Sequence, residues 1–230
     1  MANSNKLKAA VLYRGFYDRK KHRRRYGTMH YIFCKEVLEN NVRNLLKFYD
    51  CDIYFHTYTI NDESNNNMIN IFSNMGYKPK KYVFETFDEE KHRIGHSMVE
   101  SLNLIEGNYD IVISIRFDLM IYRPIVRRNI KGIGHLDYNK FNILFKDKQD
   151  AWEGKDKKVS DLLYVFPQNF TEHFKNALIE NMNYKDSAGH YVYIPLSKSI
   201  GSAKINFMMD GYHVSNTDMK RNSLVRIKRF

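Results

Sequence analysis

The run Tyr109-Asp110-Ile111-Val112-Ile113-Ser114-Ile115 is the most apolar strand-like stretch of the sequence, and it ends in Arg116-Phe117-Asp118. Its β-branched residues suit a central strand buried on both faces. Such a strand should not end in two charged groups unless they pair or face a cleft. Arg116 and Asp118 are two apart, so alternation projects both to the same side. Paired, they close the sheet. Facing a cleft, the carboxylate can hold a divalent cation bridging the phosphates of a nucleotide diphosphate. The arginine can bind phosphate through its planar fork.

The elements that must position these groups follow from periodicity. Lys8–Arg14 reads as a buried first strand ended by Gly15, and Thr28–Tyr49 as a long amphipathic helix. Cys51–Tyr58 is a second strand, Asn61–Asn67 a polar turn, and Met68–Met75 a short helix closed by Gly76. Lys81–Phe87 is a third strand, Glu89–Glu106 a helix, and Tyr109–Ile115 the central strand. This β-α-β-α-β-α-β order predicts an α/β fold, a mostly parallel central sheet flanked by helices. The second half is less regular: strands at Phe141–Phe145, Leu162–Phe166, Tyr191–Ile194 and Gly211–Val214, and a helix over Asn169–Asn181. A single domain over 1–230 is expected, with a nucleotide-binding half at 1–125 and an acceptor-side half at 126–230.

In an open parallel sheet, ligands sit beyond the carboxyl ends of the strands. Tyr13-Arg14-Gly15 follow the first strand, and His56 and Thr57 close the second. His92 and His96 are four apart on one helix face, a spacing that suits a metal pair. The glutamate and third ligand expected with such a pair are missing, so the two are read as non-metal.

Composition narrows the function classes. The net charge is +11, concentrated in Arg19–Arg25 and in the tail Arg226-Ile227-Lys228-Arg229. Such charge attracts polyanions, anionic membranes or phosphorylated small molecules. Neither cluster lies in a nucleic-acid recognition motif, so a nucleic-acid-binding α/β protein working through Arg19–Arg25 stands as the alternative function. A methyl-donor or other nucleotide enzyme on a Rossmann-like sheet ranks third, because Gly15 stands alone where a glycine-rich first turn is needed. No apolar run is long enough to cross a bilayer, and Met1–Lys8 lack the features of a signal peptide. A cytoplasmic location is expected, with Cys34 and Cys51 as buried thiols. The sequon Asn169-Phe170-Thr171 then carries no glycan.

Tyr109–Leu119, with its Arg-Phe-Asp end, resembles the segment carrying the DxD-type motif of GT-A glycosyltransferases. The likeness is nearest to small glycosyltransferases encoded by large DNA viruses of algae and by some bacteria. Val11-Leu12-Tyr13-Arg14-Gly15, Asp52–Tyr58 and Ser160–Pro167 fit the same pattern in the same order. The resemblance implies a GT-A-like fold and a nucleotide-sugar donor, usually a UDP-sugar. It further implies a glycan or glycoprotein acceptor and a divalent cation, Mn²⁺ or Mg²⁺. By position, Asp118 matches the metal-binding carboxylate. The departure is Arg116, which stands where the motif often has a second acidic residue; it can take over part of the charge neutralisation. By the same analogy Asp210 and His213 are late metal ligands, or else part of an ordinary surface turn around Gly211.

The remaining roles follow from that chemistry. An inverting transferase needs a general base, and Asp161, ahead of a strand bordering the cleft, suits it. Its alternative is a strand-start cap, and a retaining enzyme needs no such base. Arg14 can contact phosphate or stack on the base, and Tyr13 and His56 can face base or ribose; packing is the alternative for each. Trp152 can form a platform for a sugar ring or part of the core.

Overall fold

The computed structural model describes residues 6–15, 35–59, 61–88, 94–125, 136–155, 157–182, 188–209, 212 and 225–227. Seven strands form one sheet in the order β3-β2-β1-β4-β7-β6-β8. β1 (Lys8–Arg14), β2 (Asp50–Tyr58), β3 (Pro79–Glu85) and β4 (Ile111–Arg116) are mutually parallel. β7 (Leu163–Pro167) runs antiparallel to both neighbours. β6 (Phe141–Ile143) and β8 (Ile205–Phe207) return to the direction of the first four. The expected mostly parallel sheet is therefore present, and the apolar run Ile111–Ile115 takes its middle position.

Period-two alternation builds two cores from the same strands. Ala9, Val11 and Tyr13 of β1, with Ile53 and Phe55 of β2 and Ile111 and Ile113 of β4, face one layer. Val37 and Leu38 of α1 (Lys35–Asn44) and Met68 and Phe72 of α2 (Asp62–Asn74) cover it. Ala10 and Leu12, with Tyr54 and Val112, face the opposite layer. There they meet Met98, Val99 and Leu102 of α3 (Ile94–Asn103).

Farther along the same layer, a short α4 (Gln149–Glu153) carries Trp152. Phe174, Ala177 and Leu178 of α5 (Thr171–Glu180) and Leu196 of α6 (Tyr193–Ile200) pack under β6 and β7. Phe141, Phe166 and Phe174 form the aromatic centre, with the Phe141 and Phe166 rings stacked at 4.5 Å. Aromatic pairs of this kind add directional energy to area burial.

Several elements differ from the sequence reading. α2 starts at Asp62, not Met68. The Asn61 side chain accepts from the Ser64 amide at 2.8 Å, and Asp62 and Glu63 occupy the positive end of the helix. The expected strand Tyr191–Ile194 is helical: a 3₁₀ turn over Ala188–Tyr191 leads into α6. Pro195 sits in the first turn of α6, where its missing N–H breaks no bond. β8 was not anticipated.

A small second sheet pairs β5 (Leu119–Ile121) with β9 (Val225–Ile227), so Val225, Arg226 and Ile227 return beside the central strand's extension. Of the expected strand at Gly211–Val214, only Tyr212 lies within the described residues, bridging Lys146. Arg19–Arg25, Cys34, His92, Asp210 and His213 lie outside them.

Candidate active site

Strand register puts His56, Arg14 and Arg116 side by side across β2, β1 and β4, at the carboxyl edge of the parallel strands. All three follow the even-numbered face, over which α3 packs. β1 then stops at Gly15, whose φ of +89° lies in the left-handed region that suits glycine. The Gly15 amide donates to Ser97 Oγ of α3 at 3.1 Å, and Thr57 Oγ1 donates to the Gly15 carbonyl at 2.7 Å. The turn leaving the first strand is thus tied to both the second strand and the helix.

Around Arg14 and Arg116 lies a buried polar network. Arg14 is 1% exposed. Its Nε donates to Ser114 Oγ at 2.8 Å, its Nη2 donates to the Asp161 carbonyl, and its guanidinium lies over the Tyr164 ring at 5.6 Å. Burial pulls its proton affinity down, and Asp161 opposes that pull. Arg116 grips Asp118 with two donors, Nε to Oδ1 at 2.9 Å and Nη2 to Oδ2 at 2.6 Å. Its Nη1 reaches Asp161 at 3.3 Å and 3.5 Å. Two guanidinium groups therefore face two carboxylates. Arg116 is the member most open to solvent: its side chain is 16% exposed, against 4% for each aspartate.

His190 completes the group. Its Nδ1 lies 2.7 Å from the Val159 carbonyl, an acceptor only, so Nδ1 carries the proton of the neutral ring. Nε2 is left as the basic nitrogen, 3.8 Å from Asp161 Oδ1. Gly189 makes this approach possible. A Cβ there would lie 3.0 Å from Asp161 Cβ and 3.2 Å from Met98 Sδ.

The structure thus brings Arg14, Arg116, Asp118 and Asp161 into one cluster. Tyr13 is not part of it. Its ring is wholly buried in the opposite core against Phe72 and Phe117, and its hydroxyl accepts from Asn41 at 3.3 Å. Trp152 packs edge-on against Tyr193 and Phe207, with the Lys146 ammonium 5.0 Å from its ring.

His56 joins a different group. Its Nε2 and that of His96 each lie 3.0 Å from Glu85 Oε2. Burial holds His56 below the ordinary imidazole range, while Glu85 pulls the other way. His96 meets His56 and Glu85, which come from the ends of two neighbouring strands. Ser114, Glu85 and His190 escaped the sequence reading altogether. Ser114 sits between two apolar residues of a buried strand, and that was its one available signal.

Neither a protein-family model nor a curated protein matches the chain. Solved structures do. The chain superposes on the glycosyltransferase GlyE of Streptococcus pneumoniae TIGR4 with a TM-score of 0.50 and 10% identity, over 94% of this chain and 46% of that one. The fold is GT-A-like. The bifunctional glycosyltransferase WbbM superposes with a TM-score of 0.49 at 12% identity, over 90% of this chain and 40% of that one. The mannosyltransferase PcManGT of Pyrobaculum calidifontis, solved with GDP-Man and Mn²⁺, gives 0.49 at 11% identity, over 90% and 55%. The GT-A-like chain described here spans about half the length of these proteins. In open parallel sheets ligands bind beyond the carboxyl ends of the strands, and the arginine and aspartate network lies at that edge of β1 and β4. No helix among the described residues is long and apolar enough to cross a membrane.

Proposed function

We propose that the chain is a glycosyltransferase that moves a sugar from a nucleotide-sugar donor, a UDP-sugar first among them, to a hydroxyl of a glycan or glycoprotein. One observation carries the proposal. In a GT-A-like fold, the central strand ends in a guanidinium that is anchored to two carboxylates and whose side chain keeps partial exposure, 16%.

Arg116 is the group that meets the donor. Its planar fork matches a diphosphate, and its charge offsets the negative charge that builds on the leaving nucleotide as the glycosidic bond breaks. Arg14, closed off from solvent, positions rather than contacts: it fixes Ser114 and the Asp161 backbone. Asp161 is the acceptor-side carboxylate. In an inverting reaction it takes the proton from the acceptor hydroxyl, with His190 Nε2 beside it to receive or share that proton. The donor is held by residues of 1–125, and the acceptor is held by 126–230.

The Mn²⁺ or Mg²⁺ expected at Asp118 fits this donor set poorly. Both Asp118 oxygens are taken by the Arg116 fork, the neighbouring Asp161 is held by the same guanidinium, and His213 lies outside the described residues. No step is therefore routed through a cation at Asp118; the positive charge there is that of Arg116. The likeness to transferases of large DNA viruses and the cytoplasmic (for a virus, host-cytoplasmic) location belong to this proposal and rest on the sequence motifs.

A panel of nucleotide sugars in a thermal-shift assay, with and without Mn²⁺, tests it. UDP or a UDP-sugar should raise the melting temperature of the wild type, and Arg116→Gln should remove the shift. A panel in which no nucleotide stabilises the protein, while nucleic acid does so in a steeply salt-dependent way, points to the basic-protein alternative instead.

A further inference from the structure

A second chemical centre lies beside the arginine network. His56 lies within the buried run of β2, near its end, Glu85 ends β3, and His96 projects from the first turn of α3. Three separate elements thus deliver two imidazoles and one carboxylate to one point. Their ligand atoms all lie within 4.8 Å of one another. Glu85 Oε2 is 3.0 Å from each Nε2.

Nitrogen and oxygen ligands about 2.0–2.1 Å from a tetrahedral ion stand about 3.3 Å apart. The cluster is therefore within a few tenths of an ångström of the spacing a bound ion imposes between the carboxylate and each ring. His56 is 2% exposed, and among the described residues its Nδ1 has no hydrogen-bond partner. Among the described residues, the polar contact of that ring is the one its Nε2 makes with Glu85. The other two side chains are part-exposed, 23% for His96 and 33% for Glu85, which leaves a path for an ion and a coordination position for water.

We infer that His56, Glu85 and His96 form a binding site for a divalent transition metal of the zinc class, separate from Asp118. Two imidazoles and one carboxylate favour zinc, cobalt, nickel or copper over magnesium and calcium, which prefer oxygen ligands throughout. His56 and Arg116 are two strands apart across β1, about 10 Å by sheet spacing, so one ion does not serve both places. The site is structural in kind. It pins α3 to the ends of β2 and β3, and the next residue of α3, Ser97, holds the turn at Gly15. The inference does not depend on sugar transfer, and its test uses no sugar nucleotide.

The full chain is stripped with EDTA, dialysed, and titrated with Zn²⁺ by calorimetry, with metal content read by mass spectrometry and Co²⁺ substitution by visible absorption. About one zinc per chain is expected, with a raised melting temperature and cobalt d–d bands of a low-coordinate nitrogen and oxygen site. Glu85→Gln and His96→Ala should each weaken binding beyond the roughly 10–100-fold that loss of an outer-shell partner costs, and Asp118→Asn should bind zinc as the wild type does. Zinc retained at wild-type affinity by Glu85→Gln and His96→Ala overturns the inference, as does zinc lost in an Asp118→Asn protein that circular dichroism shows to be folded. Should either ligand variant fail to fold by circular dichroism, the wild-type cobalt spectrum decides alone, and a spectrum of free aqueous cobalt overturns it.

Discussion

Both carboxylate oxygens of Asp118 are occupied by the guanidinium of Arg116, at 2.9 Å and 2.6 Å, in a two-residue loop closed on itself. The pair is 4% exposed on the acid side, so removing either partner leaves a charge stranded in low dielectric. Arg116→Gln and Asp118→Asn should each destabilise the fold toward the lower side of the ~3–5 kcal/mol that severing a buried pair costs, because Arg116 retains some solvent. The double variant should cost less than the two singles together. Urea unfolding in a double-mutant cycle measures this; strict additivity would mean the pair is not coupled.

The orientation of His190 gives the second prediction. Its Nδ1–H is committed to the Val159 carbonyl, which fixes the tautomer and leaves Nε2 beside Asp161. His190→Gln should leave donor affinity near the wild-type value and lower kcat by about 100-fold or more, the usual scale for losing a proton-transfer group. Equal kcat in wild type and variant would remove His190 from the reaction.

Asp52 supplies a stability prediction at the opposite edge of the sheet. Partial burial pushes its carboxyl up, but Tyr109 Oη at 2.6 Å and Lys80 Nζ at 2.9 Å donate to it, and the balance holds it below the ordinary range. The folded value lies below the unfolded one, so the folded state binds fewer protons. The contribution is complete above the unfolded value of about 3.9 and is lost as pH falls through the folded one. Asp52→Asn should be less stable than wild type near neutral pH, and the two should converge in acid. Thermal midpoints taken across that range give the comparison; a gap that widens in acid has the wrong sign.

Cys51 should be chemically quiet. Burial, with Asp50 adding to it, pushes its thiol up to about 12, and Sγ donates to the Leu46 carbonyl at 3.4 Å. The thiolate is the reactive form, so alkylation at neutral pH should be slow in the native protein and fast in denaturant. Peptide mapping after iodoacetamide treatment resolves this site from Cys34, and rapid native labelling at Cys51 would contradict the placement.

The first half of the fold was legible chiefly because two of its strands are nearly unbroken apolar runs. Ile111–Ile115 and Ala9–Tyr13 have no other home than the middle of a sheet. Tyr191–Ile194 misled because four apolar and aromatic residues carry no period of their own; Pro195 and Leu196 continue a helix that only tertiary packing under β6 and β7 selects. β8 is three residues long, held by pairing with β6 rather than by propensity. At the site, Arg116 and Asp118 were visible because charge at the end of a buried strand is costly. Glu85 and His190 were not, because each stands in an ordinary polar context and meets its partners only through the fold.

The reversed direction of β7 has a topological consequence. A strand parallel to β4 would begin at the closed edge of the sheet and deliver its first residue far from any ligand. Because β7 descends where its neighbours ascend, its beginning lies level with their ends. Arg116, at the end of β4, and Asp161, just before β7, thereby meet on a single rim. Lengthening the segment between β6 and β7 would disturb that rim, and lengthening the connection from α5 to α6 would disturb the approach of His190 to it.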